Sequence, residues 1–257
     1  ADLLSRGLRR LRSGNHDAFN SRRSPVGPRL DGCVFQYHCD DCANISGYFA
    51  FVLGRADNGA YRVAAYAQER LRTGDLCQVL LPNGASPGDL RAVRVSSAPP
   101  LTDAERTRFA KLGLWPGCEK NFRAAQEVVL ASAVALPPGT LLAPRGRMGE
   151  GYRIENCTMG HNRARGLLVQ ASDGVIARNV LEGVEGWAML LAPECAWLEA
   201  GIGSRVRIVE NVCRGNGEGI YVGGRSLAGH PFAASARKDV EICGNRIDGA
   251  NIAVTGC

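Results

Sequence analysis

The last third of the chain reads Ile176-Ala177-Arg178-Asn179, then Ile208-Val209-Glu210-Asn211, then Ile242-Cys243-Gly244-Asn245, with Ile154-Glu155-Asn156-Cys157 as a variant before them. These Ile-x-x-Asn blocks follow one another at steps of 22, 32 and 34 residues. A Gly-rich turn and a second short apolar run come after each block, at 166–169, 187–191, 219–222 and 251–254. Two short strands per unit, with loops of variable length, are typical of a coiled β-solenoid. The sequence therefore predicts an all-β fold in which the chain winds as a parallel β-helix.

The same pattern occurs nearer the N-terminus, where Leu30-Asp31-Gly32-Cys33 matches the block that ends at Cys157. Cys157 lies 124 residues after Cys33, and subtracting one turn of 22 residues leaves 102 residues that the coil does not explain. From 54 to 148 the repeat disappears, and short alternating runs with turn signals replace it. Within this stretch, the capping box 102–105 precedes a helical run at 106–112. We therefore predict turns of the β-helix at 1–53 and 149–257, which are continuous with each other. The stretch 54–148 is predicted to be an inserted small antiparallel β-subdomain with one short helix.

Equivalent side chains of successive turns form ladders in such a coil, because neighbouring strands lie about 4.8 Å apart. The register predicts one ladder made of Cys33, Cys157, Asn179, Asn211 and Asn245. A buried asparagine in a ladder hydrogen-bonds the turn backbone and its neighbours, which satisfies polar groups that are costly to bury. We therefore interpret these asparagines as structural.

Composition argues against several classes of partner. The chain has 257 residues, a net charge of +6, 45% hydrophobic and 22% charged residues, which is ordinary for a globular protein. Its arginines are scattered among acidic residues, and no run reaches the ~18 apolar residues of a membrane span, so we predict neither a nucleic-acid nor a membrane partner. The ten cysteines are irregularly spaced, and Cys39-Asp40-Asp41-Cys42 lacks a second ligand pair, so we predict no metal site and no cofactor. The abrupt start and end of the sequence favour a piece of a longer protein.

Three aspartates are the candidate catalytic residues. Asp40 and Asp41 form an acidic pair just before an apolar strand, and Asp17 lies 23 residues before Asp40, which is about one turn of the coil. Stacked turns would bring the three carboxylates together, and their repulsion would raise at least one pKa. A site obtains a protonated acid and an ionised base together in this way. The alternative is a turn with solvated carboxylates.

Candidate binding residues lie in two further loops. His161, Arg163 and Arg165 occupy the corresponding corner of a later turn, where forked arginine donors would hold sugar hydroxyls or carboxylates. The loop 193–201 contributes Trp197 and Glu199, and sugar sites often combine a stacking aromatic with carboxylates. The alternatives are an ordinary polar corner for the first group and a hydrophobic lid for Trp197.

These motifs resemble the active-site layout of pectin-lyase-like right-handed parallel β-helix glycoside hydrolases of the polygalacturonase type. The matching positions are Asn15 and Asp17 in one turn, Asp40 and Asp41 in the next, and Gly160 with His161 in the one after. The stretch 39–47, a β-rich insertion, and the stretches 154–158 and 162–170 together are closer to the bacterial α-1,3-galactosidase-like members. The resemblance implies a secreted or periplasmic bacterial protein that acts on a polysaccharide or oligosaccharide, with Asn15 among the substrate-binding residues.

The resemblance also implies a mechanism, although the chain departs from the family pattern twice. Inverting hydrolysis uses one carboxylic acid and one carboxylate roughly 6.5–9.5 Å apart and needs no metal. Ser46 stands where the family usually has histidine, and the Arg-Ile-Lys motif that binds polygalacturonate is absent. We therefore expect an inverting glycoside hydrolase, α-galactosidase-like, and keep two alternatives: a polysaccharide lyase or epimerase on the same fold, and a non-catalytic carbohydrate-binding β-helix.

Overall fold

The computed structural model describes residues 12–66, 68–112, 114, 115, 117, 120, 122, 124–234 and 236–255. In this part of the chain the fold is all-β with one α-helix and a short 3-10 turn, and the strands form three parallel sheets and one antiparallel barrel. Among the described residues, no helix combines the length and the hydropathy that a membrane span requires.

Three parallel sheets account for the repeats. Sheet I contains β2 (Arg29–Asp31), β11 (Arg153–Glu155), β14 (Gly174–Ala177), β18 (Val206–Val209) and β21 (Val240–Cys243). Sheet II contains β3 (Val34–Gln36), β12 (Thr158–Gly160), β15 (Val180–Glu182), β19 (Val212–Arg214) and β22 (Arg246–Asp248). Sheet III contains β1 (Phe19–Arg22), β4 (Ala43–Tyr48), β13 (Leu167–Val169), β16 (Trp187–Leu191), β20 (Glu218–Val222) and β23 (Ile252–Val254), with the short β17 (Glu199–Ala200) antiparallel to β4.

Each repeat passes through sheets I, II and III in the same order, as β11, β12 and β13 do. This succession is compatible with a β-helix-like solenoid, and we call the three sheets together the coil. A repeat thus has three strands, and the expectation of two was wrong. The Ile-x-x-Asn block covers the end of a strand of sheet I and the two-residue corner after it. The residue before each ladder position has positive φ: Gly32 (63°), Asn156 (56°), Arg178 (55°), Glu210 (58°) and Gly244 (64°).

The predicted ladder is confirmed at its asparagines. The side-chain oxygen of Asn179 accepts from the backbone N–H of Cys157 at 2.9 Å, and Asn211 and Asn245 repeat the bond one turn on, at 3.0 and 2.9 Å. Each side-chain amide in turn donates to the carbonyl of the isoleucine of the preceding turn, for example Asn179 to Ile154 at 2.9 Å. Asn179 and Asn211 are almost fully buried. The ladder therefore satisfies backbone groups that the sharp corner leaves unpaired.

The three corners of the coil differ in length. The corner from sheet I to sheet II has two residues in every turn, such as 156–157 and 178–179. The corner from sheet II to sheet III is also short, with 37–42 and 161–166 as its longest cases. The corner from sheet III back to sheet I ranges from 170–173 to 192–205, 223–239 and 49–152. All large insertions of the described coil therefore enter at one corner.

The longest of these insertions folds as a closed antiparallel barrel of six strands. Around the barrel they are β10 (Leu141–Pro144), β5 (Ala50–Arg55), β6 (Tyr61–Ala65), β9 (Ala124–Leu130), β8 (Asp89–Ala98) and β7 (Leu76–Leu80). The helix α1 (Asp103–Ala110) follows β8, and the predicted capping box is present, with Thr102 accepting from the N–H of Glu105. The register across the barrel is as predicted, since Leu30 pairs with Ile154 and Val34 with Thr158. The domain limits at 53/54 and 148/149 stay a prediction.

The barrel packs directly on the coil. One buried apolar cluster joins Phe51 and Leu141 of the barrel to Leu198 and Ile202 of the corner 192–205 and to Phe232 of the corner 223–239. The backbone N–H of Ile202 also donates to Oε1 of the barrel residue Gln78 at 2.8 Å. The long corners of the coil are therefore the surface on which the barrel rests.

Candidate functional site

A cleft of about 900 Å³ lies on the outer side of sheet III. Its lining comes from the sheet II to III corners, from sheet III and from the insertions, and consists of His16, Asp17, Asn20, Arg22, Asp40, Asp41, Asn44, Tyr48, Tyr66, Trp115, Arg163, Arg165, Glu194, Trp197 and Glu199. Seven of the nine sequence-predicted site residues lie in this lining. Asn15 and His161 do not.

The three predicted aspartates come together. Asp17 precedes β1 and Asp40-Asp41 precede β4, and one carboxylate oxygen from each residue lies within 4.8 Å of the others. The register differs from the expected one by a residue: Phe19 pairs with Ala43, so Asp17 lies opposite Asp41 rather than Asp40. The backbone N–H of Asp41 accordingly donates to Oδ1 of Asp17 at 3.3 Å. We call Asp17, Asp40 and Asp41 the acid cluster.

Asp41 is held by Arg165. Its carboxylate is only 1% exposed and accepts from Nε and Nη2 of Arg165 at 2.8 and 2.9 Å, and from the Arg165 backbone N–H at 2.9 Å. Arg165 also donates to Oε1 of Glu194 at 2.6 Å. The guanidinium is thus bound to two protein carboxylates, and the expected role of Arg165 in holding a sugar stays a prediction.

Asp17 and Asp40 differ from Asp41 in their surroundings. Burial raises the pKa of Asp17, the carboxylates of Asp41 and Asp40 raise it further, and the hydrogen bond from Asn20 opposes them. Among the described residues, the Asp40 carboxylate has neither a hydrogen bond nor an ion pair, and it lines the cleft. The acid cluster therefore contains one carboxyl group whose pKa is raised by burial, one side chain without a hydrogen-bond or ion-pair partner among the described residues, and one carboxylate paired with arginine.

A second paired acid lies at the floor of the cleft. Glu199 is 5% exposed and forms an ion pair with Arg22, with 2.6 Å between Nη2 and Oε1. Asn44 and Gln170 donate to its other oxygen at 3.4 and 3.2 Å. Arg22 also donates to the hydroxyl of Tyr48 at 3.0 Å. This network fixes the floor of the cleft as a rigid polar surface.

Two tryptophans stack at the mouth of the cleft. The ring centroids of Trp115 and Trp197 are 4.8 Å apart and their planes differ by 17°. The N–H of Trp115 donates to the carbonyl of Ala196 at 2.8 Å, which ties the barrel insertion to the corner 192–205. The side chains are 52% and 42% exposed, respectively. Apolar rings with this exposure offer a stacking surface to a ligand.

The remaining predicted residues lie at the margin. Arg163 is exposed and donates from Nε to the carbonyl of Cys39 at 2.8 Å, and among the described residues it has no ion-pair partner. His161 stacks on Tyr37 with 5.2 Å between ring centroids, and Asn15 is exposed outside the cleft. His161 and Asn15 therefore lie outside the lining of the cleft, and His161 packs on Tyr37 instead.

Sequence reasoning missed His16, Arg22, Glu194 and Trp115 as lining residues. His16 lies between Asn15 and Asp17, and Glu194 lies in the loop 193–201. Their position beside predicted site residues could therefore have indicated both. Arg22 alternates outward on β1, which only the correct strand limits reveal. Trp115 lies far away in sequence inside the insertion, and nothing local to it indicates the cleft.

The acid cluster is also a set of oxygen donors of the kind that a hard divalent cation accepts. One of its members, Asp41, is already neutralised by Arg165, which leaves Asp17 and Asp40 for an added cation.

No family model matches the chain, and no curated protein matches it either.

Proposed function

We propose that this chain is a pectin-lyase-like right-handed parallel β-helix protein that binds a polysaccharide or oligosaccharide in the cleft and hydrolyses a glycosidic bond. The observation that carries the proposal is the acid cluster, in which Asp17 and Asp40 lie together in an open cleft with unlike surroundings. In this proposal Asp17 is the general acid and Asp40 the general base or nucleophile. Arg165 and Asp41 position them.

The different surroundings of the three aspartates support this division of roles. Glycoside hydrolysis needs one carboxyl group that still carries a proton at the working pH and another that is ionised. Burial raises the pKa of Asp17, which suits the acid role, and Asp40 lines the cleft without a hydrogen bond or ion pair among the described residues, which leaves its side chain open to substrate or water. Asp41 stays bound to Arg165 in a geometry that suits orientation rather than proton transfer.

The lining of the cleft supports a sugar as ligand. Stacked tryptophans at the mouth offer apolar faces to a pyranose ring, and the polar floor around Glu199 offers hydrogen-bonding groups to its hydroxyls. Acids outnumber arginines in the lining, and only Arg163 lacks a carboxylate partner among the described residues. A neutral sugar therefore suits the cleft better than a polyuronate, whose carboxylates would meet like charge, and the family resemblance implies that this sugar is a galactoside.

The stereochemical outcome is a separate question. The resemblance implies inversion, for which the two carboxyl groups are roughly 6.5–9.5 Å apart. The nearest oxygens of the acid cluster lie within 4.8 Å, closer to the spacing of roughly 5–5.5 Å that retaining enzymes use. Proton NMR of the first anomer released from an accepted substrate distinguishes the two outcomes directly.

Reducing-end release from a panel of neutral galactosides, other neutral glycans and polygalacturonate tests the proposal. Asp17→Asn and Asp40→Asn should each lower kcat on an accepted substrate by roughly 10²–10⁴-fold. Asp57→Asn, at an exposed turn of the barrel, should leave kcat unchanged and is the matched control. Full hydrolysis by both cleft variants would refute the assignment. Glycan binding that survives loss of all three aspartates, without hydrolysis by the wild type, would instead support a non-catalytic binding protein.

The convergence of three acids favours a second candidate, a polysaccharide lyase or epimerase with calcium on the acid cluster. A lyase product contains a new carbon–carbon double bond that absorbs in the ultraviolet, whereas a hydrolysis product does not. Growth of this absorbance on a polyuronate, abolished by a chelator and restored by Ca²⁺, would favour the lyase and contradict hydrolysis. The expected secreted or periplasmic location stays a prediction.

A further inference from the structure

We infer that Cys33 and Cys157 are a redox pair that closes into a disulfide across two neighbouring turns of the coil when the protein meets a disulfide oxidant such as oxidised glutathione. Both thiols are free in the structure. The inference concerns the coil on either side of the barrel, and it is independent of the proposed hydrolysis.

The register places the two cysteines side by side. Leu30 pairs with Ile154 before them and Val34 pairs with Thr158 after them, so Cys33 and Cys157 are the equivalent residues of adjacent turns. Two backbone hydrogen bonds bracket them: Gly32 N–H to Glu155 O at 3.1 Å and Thr158 N–H to Cys33 O at 2.9 Å. Adjacent parallel strands lie about 4.8 Å apart, which is within the Cα separation of roughly 4.4–6.8 Å that a disulfide accepts.

The side chains point the same way as well. Cys157 belongs to the buried core of the coil, and Cys33 packs against that core. Burial raises the pKa of Cys157, and the neighbouring Cys33 thiol raises it further. Equivalent positions in adjacent turns and a shared apolar core therefore bring the two side chains together.

The position is distinctive within the repeat. In the following turns the same ladder position is Asn179, Asn211 and Asn245, and successive asparagines hydrogen-bond one another. The two cysteines replace this bond only where the chain leaves the coil for the barrel and returns from it. A covalent bond here would tie together the two turns between which the barrel is inserted.

The reaction balances with the oxidant alone. The half-buried Cys33 loses its proton and attacks one sulfur of oxidised glutathione, which releases one glutathione thiolate and leaves a mixed disulfide on Cys33. Cys157 then loses its proton and attacks the Cys33 sulfur, which releases the second glutathione. Two thiols are oxidised and one glutathione disulfide is reduced to two glutathione molecules.

Peptide mapping of the folded chain tests the pair. Trypsin cleavage after Arg29, Arg55, Arg153 and Arg163 gives peptides 30–55 and 154–163, and the second contains Cys157 as its only cysteine. After treatment with oxidised glutathione and alkylation, we expect these peptides linked, with fragment ions that place the bond at Cys33 rather than at Cys39 or Cys42. Alkylation of both Cys33 and Cys157 after that treatment would overturn the inference, as would a bond to Cys39 or Cys42.

Thermal unfolding gives an independent measurement. Closing so long a loop should raise Tm by on the order of 5–10 °C relative to the reduced wild type. Cys33→Ser should abolish the difference between oxidised and reduced samples, and Cys33→Asn, which installs the residue of the later turns, is a second variant in case serine weakens the fold. Cys243→Ser, at an exposed position of β21, is the matched control and should keep the full difference. A difference that persists without Cys33 would contradict the pairing.

Discussion

Breaking the ion pair between Asp41 and Arg165 should strongly destabilise the folded protein. Asp41 is 1% exposed, and Arg165 supplies three of its hydrogen bonds. A buried carboxylate left without its partner costs far more than the pair itself contributes. Arg165→Gln should therefore lower the free energy of unfolding by roughly 3–5 kcal/mol in urea titrations.

The double variant Asp41→Asn with Arg165→Gln should recover part of that loss, because it removes the unpaired charge. Arg163→Gln, two residues away and exposed, is the control and should change stability by less than about 0.5 kcal/mol. A small effect of Arg165→Gln alone would show that water replaces the guanidinium at Asp41.

The titration of Asp17 predicts a pH-dependent stability. Its pKa is raised in the folded protein, so its favourable contribution is complete below its ordinary value of 3.8 and is lost as the pH rises through the higher folded value. Asp17→Asn removes a carboxylate from the acid cluster. We therefore expect the variant to be more stable than the wild type at pH 7, with the difference disappearing as the pH falls below 3.8. Urea midpoints across this range measure it, and a difference independent of pH would contradict the explanation.

The asparagine ladder joins the turns of the coil, and the stability lost on replacing one of its asparagines should depend on how deeply that asparagine is buried. Asn211 is fully buried, and its oxygen accepts from both the backbone and the side chain of Asn179. Asn245 does the same for Asn211 but is only half-buried. Asn211→Ala should lower the free energy of unfolding by roughly 2–4 kcal/mol, because it leaves buried groups unpaired.

Asn245→Ala is the matched comparison for the inner position, since it removes the same side chain at the last described ladder position. Its effect should be clearly smaller, because water reaches the groups that it exposes. Equal losses at the two positions in guanidinium titrations would mean that burial does not set the value of a ladder bond.

The sequence predicts the coil better than the cleft. The ladder and the register across the barrel follow from a residue spacing that repeats, and the structure confirms both at Asn179 and Leu30. The three-strand repeat was missed because the left-handed corner at Arg178 leaves no apolar signature. Trp115 and the Asp41–Arg165 pair were missed because each depends on contacts between segments far apart in sequence.

The barrel and the coil should unfold together in one cooperative transition of the whole molecule. They share one buried cluster, in which Phe232 of a coil corner packs with Phe51 and Leu80 of the barrel. We expect a single calorimetric transition with equal calorimetric and van't Hoff enthalpies. Phe232→Ala should lower Tm, with an energetic cost of roughly 3–5 kcal/mol. Two resolved transitions in the wild type would show that the interface does not couple the two parts.

The barrel insertion should also take part in ligand binding through Trp115. Trp115→Ala removes one ring of the stacked pair. If a sugar stacks there, KM for an accepted oligosaccharide should rise roughly 2- to 10-fold while kcat stays within about twofold. Trp187→Ala, which removes a tryptophan outside the cleft lining, is the control. A fall in kcat without a change in KM would contradict a role in binding.

The short and the long corners of the coil carry different parts of the cleft. The acid cluster and Arg165 lie at or next to the short corners that lead into sheet III, whereas Trp197 and Trp115 lie in the long segments that leave it. Because the ladder fixes the register of each turn, the barrel segment around Trp115 can be altered without shifting the acid cluster, whereas the corner 192–205 also carries Glu194, which pairs with Arg165, and Glu199, which pairs with Arg22. A library that varies the barrel segment around Trp115 and the corner 192–205, but keeps Glu194 and Glu199, should therefore alter which ligands the cleft binds while the carboxylates of the acid cluster stay in place.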